Sequence, residues 1–175
     1  MGKSASRELL LLRHAKSDWY SGAASDFERP LNDRGRKEAP RMGAWLLSQN
    51  LKPDYLVSSP ATRARETILA VADQLGIGER HIHWDDRLYM ADPDILLGIL
   101  GECPHHARRV MLVGHNPSLD DLVDYLVERD ADLGPGPGIL KTATLARIQL
   151  PDDWHDLSSG SGKLLALVSP KTLNA

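Results

Sequence analysis

Four consecutive leucines, Leu9 to Leu12, run straight into Arg13-His14-Ala15. An apolar run that does not alternate with polar residues marks a strand covered on both faces. Such a strand, read from Glu8 to Leu12, belongs inside an α/β sheet between two helical layers. Ligands bind at the carboxyl ends of strands in these sheets, and this end carries an arginine beside a histidine. Neutral imidazole is nucleophilic near pH 7, and guanidinium presents a planar fork that matches phosphate oxygens. Chemistry at phosphorus is the first expectation.

The rest of the chain repeats the arrangement. Tyr55-Leu56-Val57 reads as a second strand, followed by Ser58-Ser59-Pro60-Ala61-Thr62-Arg63-Ala64-Arg65-Glu66-Thr67, which puts Arg63 near a helix start. Ser59-Pro60 suits the N-cap and first position of that helix, which runs to about Leu75 and stops at Gly76. Val110 to Val113 is a further buried run and leads into Gly114-His115-Asn116. Asn32 offers an N-cap to a helix from Asp33 to Gln49, with Leu46 and Leu47 facing inward and Pro40 forcing a kink or a restart. Asp92-Pro93 opens a helix containing Ile95, Leu96, Ile99 and Leu100, and another runs from about Pro117 to Arg129. His81 to Trp84 is a weak strand; Ala143 to Leu150 and Lys163 to Val168 are stronger ones. Lys16 to Leu31 and Leu133 to Gly138 read as loops. Strands alternating with helices predict a three-layer α/β/α sandwich with a largely parallel central sheet, as one domain over residues 1–175.

Composition removes several function classes. With 42% hydrophobic and 26% charged residues the chain is of ordinary globular make-up, and a net charge of −3 leaves no footprint for nucleic acid or an anionic membrane. The single cysteine, Cys103, excludes an intrachain disulfide. No apolar stretch approaches the roughly 18 residues of a membrane span, so a cytoplasmic location is expected. Met1-Gly2-Lys3-Ser4-Ala5-Ser6 fits a myristoylation pattern short enough to arise by chance, and no lipidation is expected. His81 and His83 share a strand face and His105-His106 are adjacent, but neither pair has a cysteine or carboxylate set at ligand spacing. Neither a metal nor another cofactor is expected. Gly134 to Gly138 lacks the Lys-Ser/Thr of a phosphate loop.

Arg13-His14, the Ser58 to Thr67 segment with Arg63, and Gly114-His115-Asn116 occur in order, each at the end of a predicted strand. Together they resemble the histidine phosphatase superfamily, also called phosphoglycerate mutase-like. That resemblance implies a phosphoglycerate mutase-like fold, His14 as the phosphorylated nucleophile, and Arg13, Arg63 and His115 around the phosphate. Arg65 lies two positions beyond Arg63 on a helix, points elsewhere and reads as structural. The segment Arg29-Pro30-Leu31-Asn32-Asp33-Arg34-Gly35, with the overall length, resembles the SixA-type protein-histidine phosphatases. By this resemblance the function is metal-independent removal of phosphate from protein phosphohistidine through a phosphohistidine enzyme intermediate. Small phosphomonoesters are the alternative substrates. A catalytically weak phosphoprotein-binding module is the alternative outside enzymes, although a pure binder has no need of the nucleophile.

Two departures from the family pattern stand out. Ala15 replaces the glycine that commonly follows the nucleophile, which requires a negative φ there. Many members also place an acidic glutamate in the region occupied here by Arg87-Leu88-Tyr89-Met90-Ala91, and this stretch has no carboxylate. Asp18 and Asp92 are the candidate substitutes. Expelling an alkoxide is hard without an acid, whereas imidazole leaves phosphorus readily. Little chain lies between Arg63 and His115 to build a lid. A shallow site without an acid favours an N-phosphorylated protein.

Overall fold

The computed structural model describes residues 6–128 and 138–174. Of the myristoylation pattern at 1–6 and the loop expected at 133–138, residues 1–5 and 133–137 lie outside the described residues. Six strands form one sheet: β1 (Arg7–Arg13), β2 (Tyr55–Ser58), β3 (Ile82–Trp84), β4 (Arg109–Gly114), β5 (Leu145–Leu150) and β6 (Lys163–Val168), in the order β3-β2-β4-β1-β5-β6. The four strands from β3 to β1 are parallel, and β5 runs antiparallel to both neighbours. Four helices cover it: α1 (Asp33–Ser48), α2 (Thr62–Gln74), α3 (Pro93–Gly101) and α4 (Ser118–Leu126).

The leucine run explains the layers. Successive side chains on a strand point to opposite faces. Leu9 and Leu11 pack with Leu96 and Ile99 of α3 and Leu119 and Leu122 of α4. Leu10 and Leu12 pack with Met42 and Leu46 of α1 and Ile68 and Val71 of α2. All four leucines are fully buried. The fold is the expected three-layer α/β/α sandwich with a largely parallel sheet.

Several local expectations need correction. Leu46 is buried, but Leu47 is 55% exposed, because consecutive helical residues point about 100° apart. The second helix begins at Thr62 rather than at Pro60. Ser59 is still bound to the sheet through its N–H to the Val113 carbonyl (3.0 Å), and its hydroxyl accepts from the Ala61 N–H (3.2 Å). Helix α1 continues through Pro40 as one element, without the restart. Helix α4 stops at Leu126 because Val127 turns extended and bridges to Gly162. Among the described residues no helix is long and apolar enough to cross a membrane.

Candidate active site

Strands β1 and β4 lie side by side, with Arg13 opposite Gly114. The helices that follow them, α1 and α4, go to opposite faces of the sheet. That divergence opens a crevice at the carboxyl ends of the two strands. His14 and His115 are the first residues beyond those ends, and their ring centroids are 5.1 Å apart. The His14 N–H donates to the Gly114 carbonyl at 3.1 Å, locking the two strand ends together.

His14 is only 7% exposed. Its Nδ1 lies 2.7 Å from the Ala15 carbonyl. A carbonyl only accepts, so Nδ1 carries the proton and Nε2 keeps its lone pair. Burial pushes the His14 pKa down to about 4; the bond to Ala15 opposes this, and the charges of Arg63, Arg13 and Arg29 reinforce it. The imidazole is therefore neutral at physiological pH. Ala15 is fully buried and donates its N–H to Thr67 Oγ1 (3.0 Å), whose hydroxyl donates to the Arg63 carbonyl (2.7 Å). Ala15 avoids positive φ, which among the described non-glycine residues occurs only at Asn50 and Ala143. The methyl at this position is accommodated.

His115 is also buried, with Nε2 2.8 Å from Ser59 Oγ. Burial, together with His14, Arg63 and Arg13, pushes its pKa down to about 3, with Asp26 acting in the opposite direction. The ring is therefore neutral near pH 7 when no anion lies beside it.

Three arginines act on His14. Arg13 donates through Nη1 to the Leu140 carbonyl at 3.0 Å. Arg63, 5% exposed, donates to the Asp26 carbonyl at 2.6 Å and to Asp26 Oδ2 at 3.0 Å. Arg29, 8% exposed, bonds Ser17 Oγ at 2.9 Å, pairs with Asp26 Oδ1, and lies 3.6 Å from the centre of the Trp19 ring. Arg13 Nε, Arg63 Nε and His115 Nδ1 are buried without a hydrogen-bond partner. Unpaired buried polar atoms are costly and rare outside functional sites.

The carboxylate at this site is Asp26, which sequence reasoning missed. Its Oδ2 accepts from the Tyr89 hydroxyl at 2.5 Å. That bond, with those from Arg29 and Arg63, outweighs burial and pulls the Asp26 pKa down to about 2. Tyr89 stands edge-on to His115 (5.6 Å between centroids) and to Phe27 (5.1 Å). The stretch in which a family glutamate was sought thus supplies a phenol that holds a carboxylate from another loop. The available signal was Asp26 lying three residues before Arg29, a spacing suited to an ion pair.

The other candidates fall elsewhere. Asp18 closes a turn by accepting from the Tyr20 N–H (2.9 Å). Asp92 caps α3 by accepting from the Ile95 N–H (2.9 Å). Arg65 is exposed and pairs with Glu79 at 3.0 Å. His83 stacks on Tyr55 with centroids 4.4 Å apart. Among the described residues no cluster of three or more His, Cys, Asp or Glu could hold a metal ion. Asp120 was also missed. Buried on α4, it accepts from Leu140 N (2.9 Å) and Gly138 N (3.2 Å), fixing the loop whose carbonyl holds Arg13.

Residues 9–89 match the histidine phosphatase superfamily (branch 1). The chain is 28% identical to phosphohistidine phosphatase SixA of Escherichia coli (strain K12), over 95% of this chain and 96% of that protein. It is 30% identical to an uncharacterised chloroplastic protein of Arabidopsis thaliana, over 95% of this chain and 79% of that one. Its structure resembles that of the protein histidine phosphatase SixA complexed with tungstate, with a TM-score of 0.79 and 25% identity over 95% of this chain and 99% of that one.

Proposed function

This chain belongs to the histidine phosphatase superfamily, and on that footing we propose that it removes phosphate from protein phosphohistidine, with His14 as nucleophile. The observation that carries the reading is the state of His14: neutral, with Nδ1 tied to the Ala15 carbonyl and Nε2 free. In the first step the Nε2 lone pair forms a bond to phosphorus while the P–N bond to the substrate imidazole breaks. That imidazole already carries a solvent proton on its other ring nitrogen, so it departs neutral with the P–N electron pair. Arg13, Arg29 and Arg63 hold the equatorial oxygens, where charge spreads in a loose transition state. His115, protonated as the dianion enters, supplies a further donor. In the second step water attacks phosphorus, His14 departs and inorganic phosphate is released. No step draws on a metal.

The substrate assignment rests on the proton inventory. With no phosphate bound, Tyr89, Arg29 and Arg63 pull the Asp26 pKa down to about 2, and an ionised carboxylate has no proton to give. Tyr89 is a poorer acid than free tyrosine, since its proton is committed to Asp26. A site whose carboxylate cannot donate suits a leaving group that needs little protonation. The similarity to SixA proteins points the same way. The test is kcat/KM on a phosphohistidine peptide against p-nitrophenyl phosphate and an alkyl phosphomonoester. The peptide should be preferred over the alkyl ester by about a hundredfold or more, the typical contribution of general acid catalysis. Equal turnover of all three would overturn the assignment.

A further inference from the structure

A cavity of about 640 Å³ adjoins the nucleophile strand, lined by Arg13, Lys16, Arg34, Lys141 and Lys171 with one carboxylate, Glu38. The concentration of cations is local, because the whole chain carries a net charge of −3. Glu38 lies beside Arg34, whose Nε is 3.3 Å away, although its buried Oε1 makes no hydrogen bond. Lys16, Lys141 and Lys171 are exposed and, among the described residues, form no side-chain hydrogen bond or ion pair. Thr144, also on the wall, is 4% exposed, and its hydroxyl has no partner.

The wall is fixed relative to His14. The Ala143 N–H lies 3.1 Å from both the Arg13 and the His14 carbonyls, and Arg13 N–H donates to the Thr144 carbonyl at 3.1 Å. Ala143 adopts φ 58° to make these bonds, a left-handed conformation that a non-glycine residue seldom takes. On the other side, a Cβ on Gly35 would sit 2.2 Å from the Lys16 carbonyl, so α1 packs directly on the loop that follows His14. Lys16, Lys141 and Lys171 come from three separate segments, following β1, preceding β5 and following β6, and the apolar Ile139 and Leu167 also line the cavity. Cations spread along a partly apolar groove fit an extended chain better than a compact polyanion, whose charges would draw them to one point.

We propose that this groove binds an acidic segment of the phosphoprotein, next to its phosphohistidine. The proposal rests on the phosphohistidine reading, since it places the acidic segment on the same partner. Carboxylates on that segment pair with Lys16, Lys141 and Lys171 while the phosphoryl group reaches His14, with Arg13 shared by both sites. Selectivity then comes from charge flanking the modified histidine as well as from the phosphate.

The test uses two peptides, one with an Asp/Glu-rich flank and one with a Ser/Gly flank, each made with and without phosphohistidine. Binding of the unphosphorylated peptides is read by fluorescence anisotropy, which does not depend on catalysis. The acidic peptide should bind more tightly than the neutral one, and the advantage should shrink as salt rises. Lys141→Glu/Lys171→Glu should lower that advantage roughly five- to tenfold, with Lys141→Gln/Lys171→Gln in between. The ratio of kcat/KM between the two phosphorylated peptides should fall in parallel. Equal binding of the two peptides, or an advantage that survives charge reversal in well-folded variants, would overturn the proposal. Binding of tripolyphosphate at this groove without preference for the acidic peptide would overturn it in favour of a small polyanion. If the anisotropy result holds while neither phosphorylated peptide is hydrolysed, the phosphohistidine reading has failed, and with it the claim that the partner is a phosphoprotein.

Discussion

Both ends of the sheet bury arginine, and they treat it in opposite ways. At the amino end Arg109 and Arg147 converge on Glu8, at 3.0 and 2.6 Å, and fully buried Arg7 donates to the His105 and Ala107 carbonyls with Asp152 at 3.5 Å. At the carboxyl end Arg13, Arg29 and Arg63 crowd around two histidines, with Asp26 the carboxylate that contacts them. The first arrangement is closed by charge pairing. The second carries more arginine than carboxylate, and Arg13 Nε, Arg63 Nε and His115 Nδ1 lack hydrogen-bond partners; at the first, Arg7 Nε also lacks one but faces the Asp152 carboxylate at 3.5 Å. Two regions with similar residue types therefore differ in charge balance, the first closely paired and the second with cations in excess.

Crossing substitutions between the ends should show the sharpest division. His14→Ala should cut turnover of phosphohistidine peptide by about a thousandfold or more while the unfolding midpoint barely falls. Glu8→Ala should do the reverse, leaving kcat/KM within about twofold and costing about 2 kcal/mol in urea unfolding, because two arginines lose their counterion. Equal damage to activity from both variants would erase the distinction.

Asp26→Asn should lower kcat/KM by roughly tenfold, on phosphohistidine and phosphomonoester alike, because it releases Arg63 and Arg29 without removing an acid. Tyr89→Phe should act in the same direction but more weakly. A loss confined to phosphomonoesters would instead make Asp26 the proton donor.

Acid should weaken the two ends in different windows. The histidines bind fewer protons when folded than unfolded, their pKa values having dropped from 6.5 to about 4 and about 3. Stability should therefore fall as pH drops from about 6.5 towards 4, and His14→Asn/His115→Asn should flatten that slope. Burial raises the Glu8 pKa, but the bonds and charges of Arg147 and Arg109 outweigh it and hold the carboxyl below 4.5. Its contribution is complete above that value and lost only at lower pH. Urea midpoints from pH 7.5 to 3.5 test both signs. The smallest effect is expected from Asp18→Asn, less than about twofold on phosphohistidine peptide, since Asp18 serves the turn at Tyr20.

Much of the candidate site is legible in the chain because its parts stand at strand ends. Leu9 to Leu12 and Val110 to Val113 announce buried strands, so Arg13, His14 and His115 acquire positions as soon as the strands do. Arg63 follows from the turn into α2, even though the helix starts two residues later than Ser59-Pro60 suggests. What escaped is what tertiary folding alone brings together. Asp26 and Asp18 sit in one polar loop with similar local surroundings, and only the return of Phe27 onto α2, through Thr62 N–H to the Phe27 carbonyl at 3.0 Å, selects Asp26. Tyr89 carries no local signal, because its hydroxyl meets Asp26, 63 residues away in the chain, only in the folded structure. Leu47 was misassigned by reading an apolar pair as one face.

The central claim is that phosphate passes through Nε2 of His14. The direct measurement is to mix the enzyme with phosphoramidate or phosphohistidine peptide, quench in alkali, and locate phosphate by 31P NMR and mass spectrometry of proteolytic fragments. An acid-labile phosphoryl group should be found on His14, attached through Nε2, absent from His14→Ala and decaying at the rate of phosphate release. Phosphate on His115, attachment through Nδ1, or turnover without any phosphorylated enzyme would contradict it.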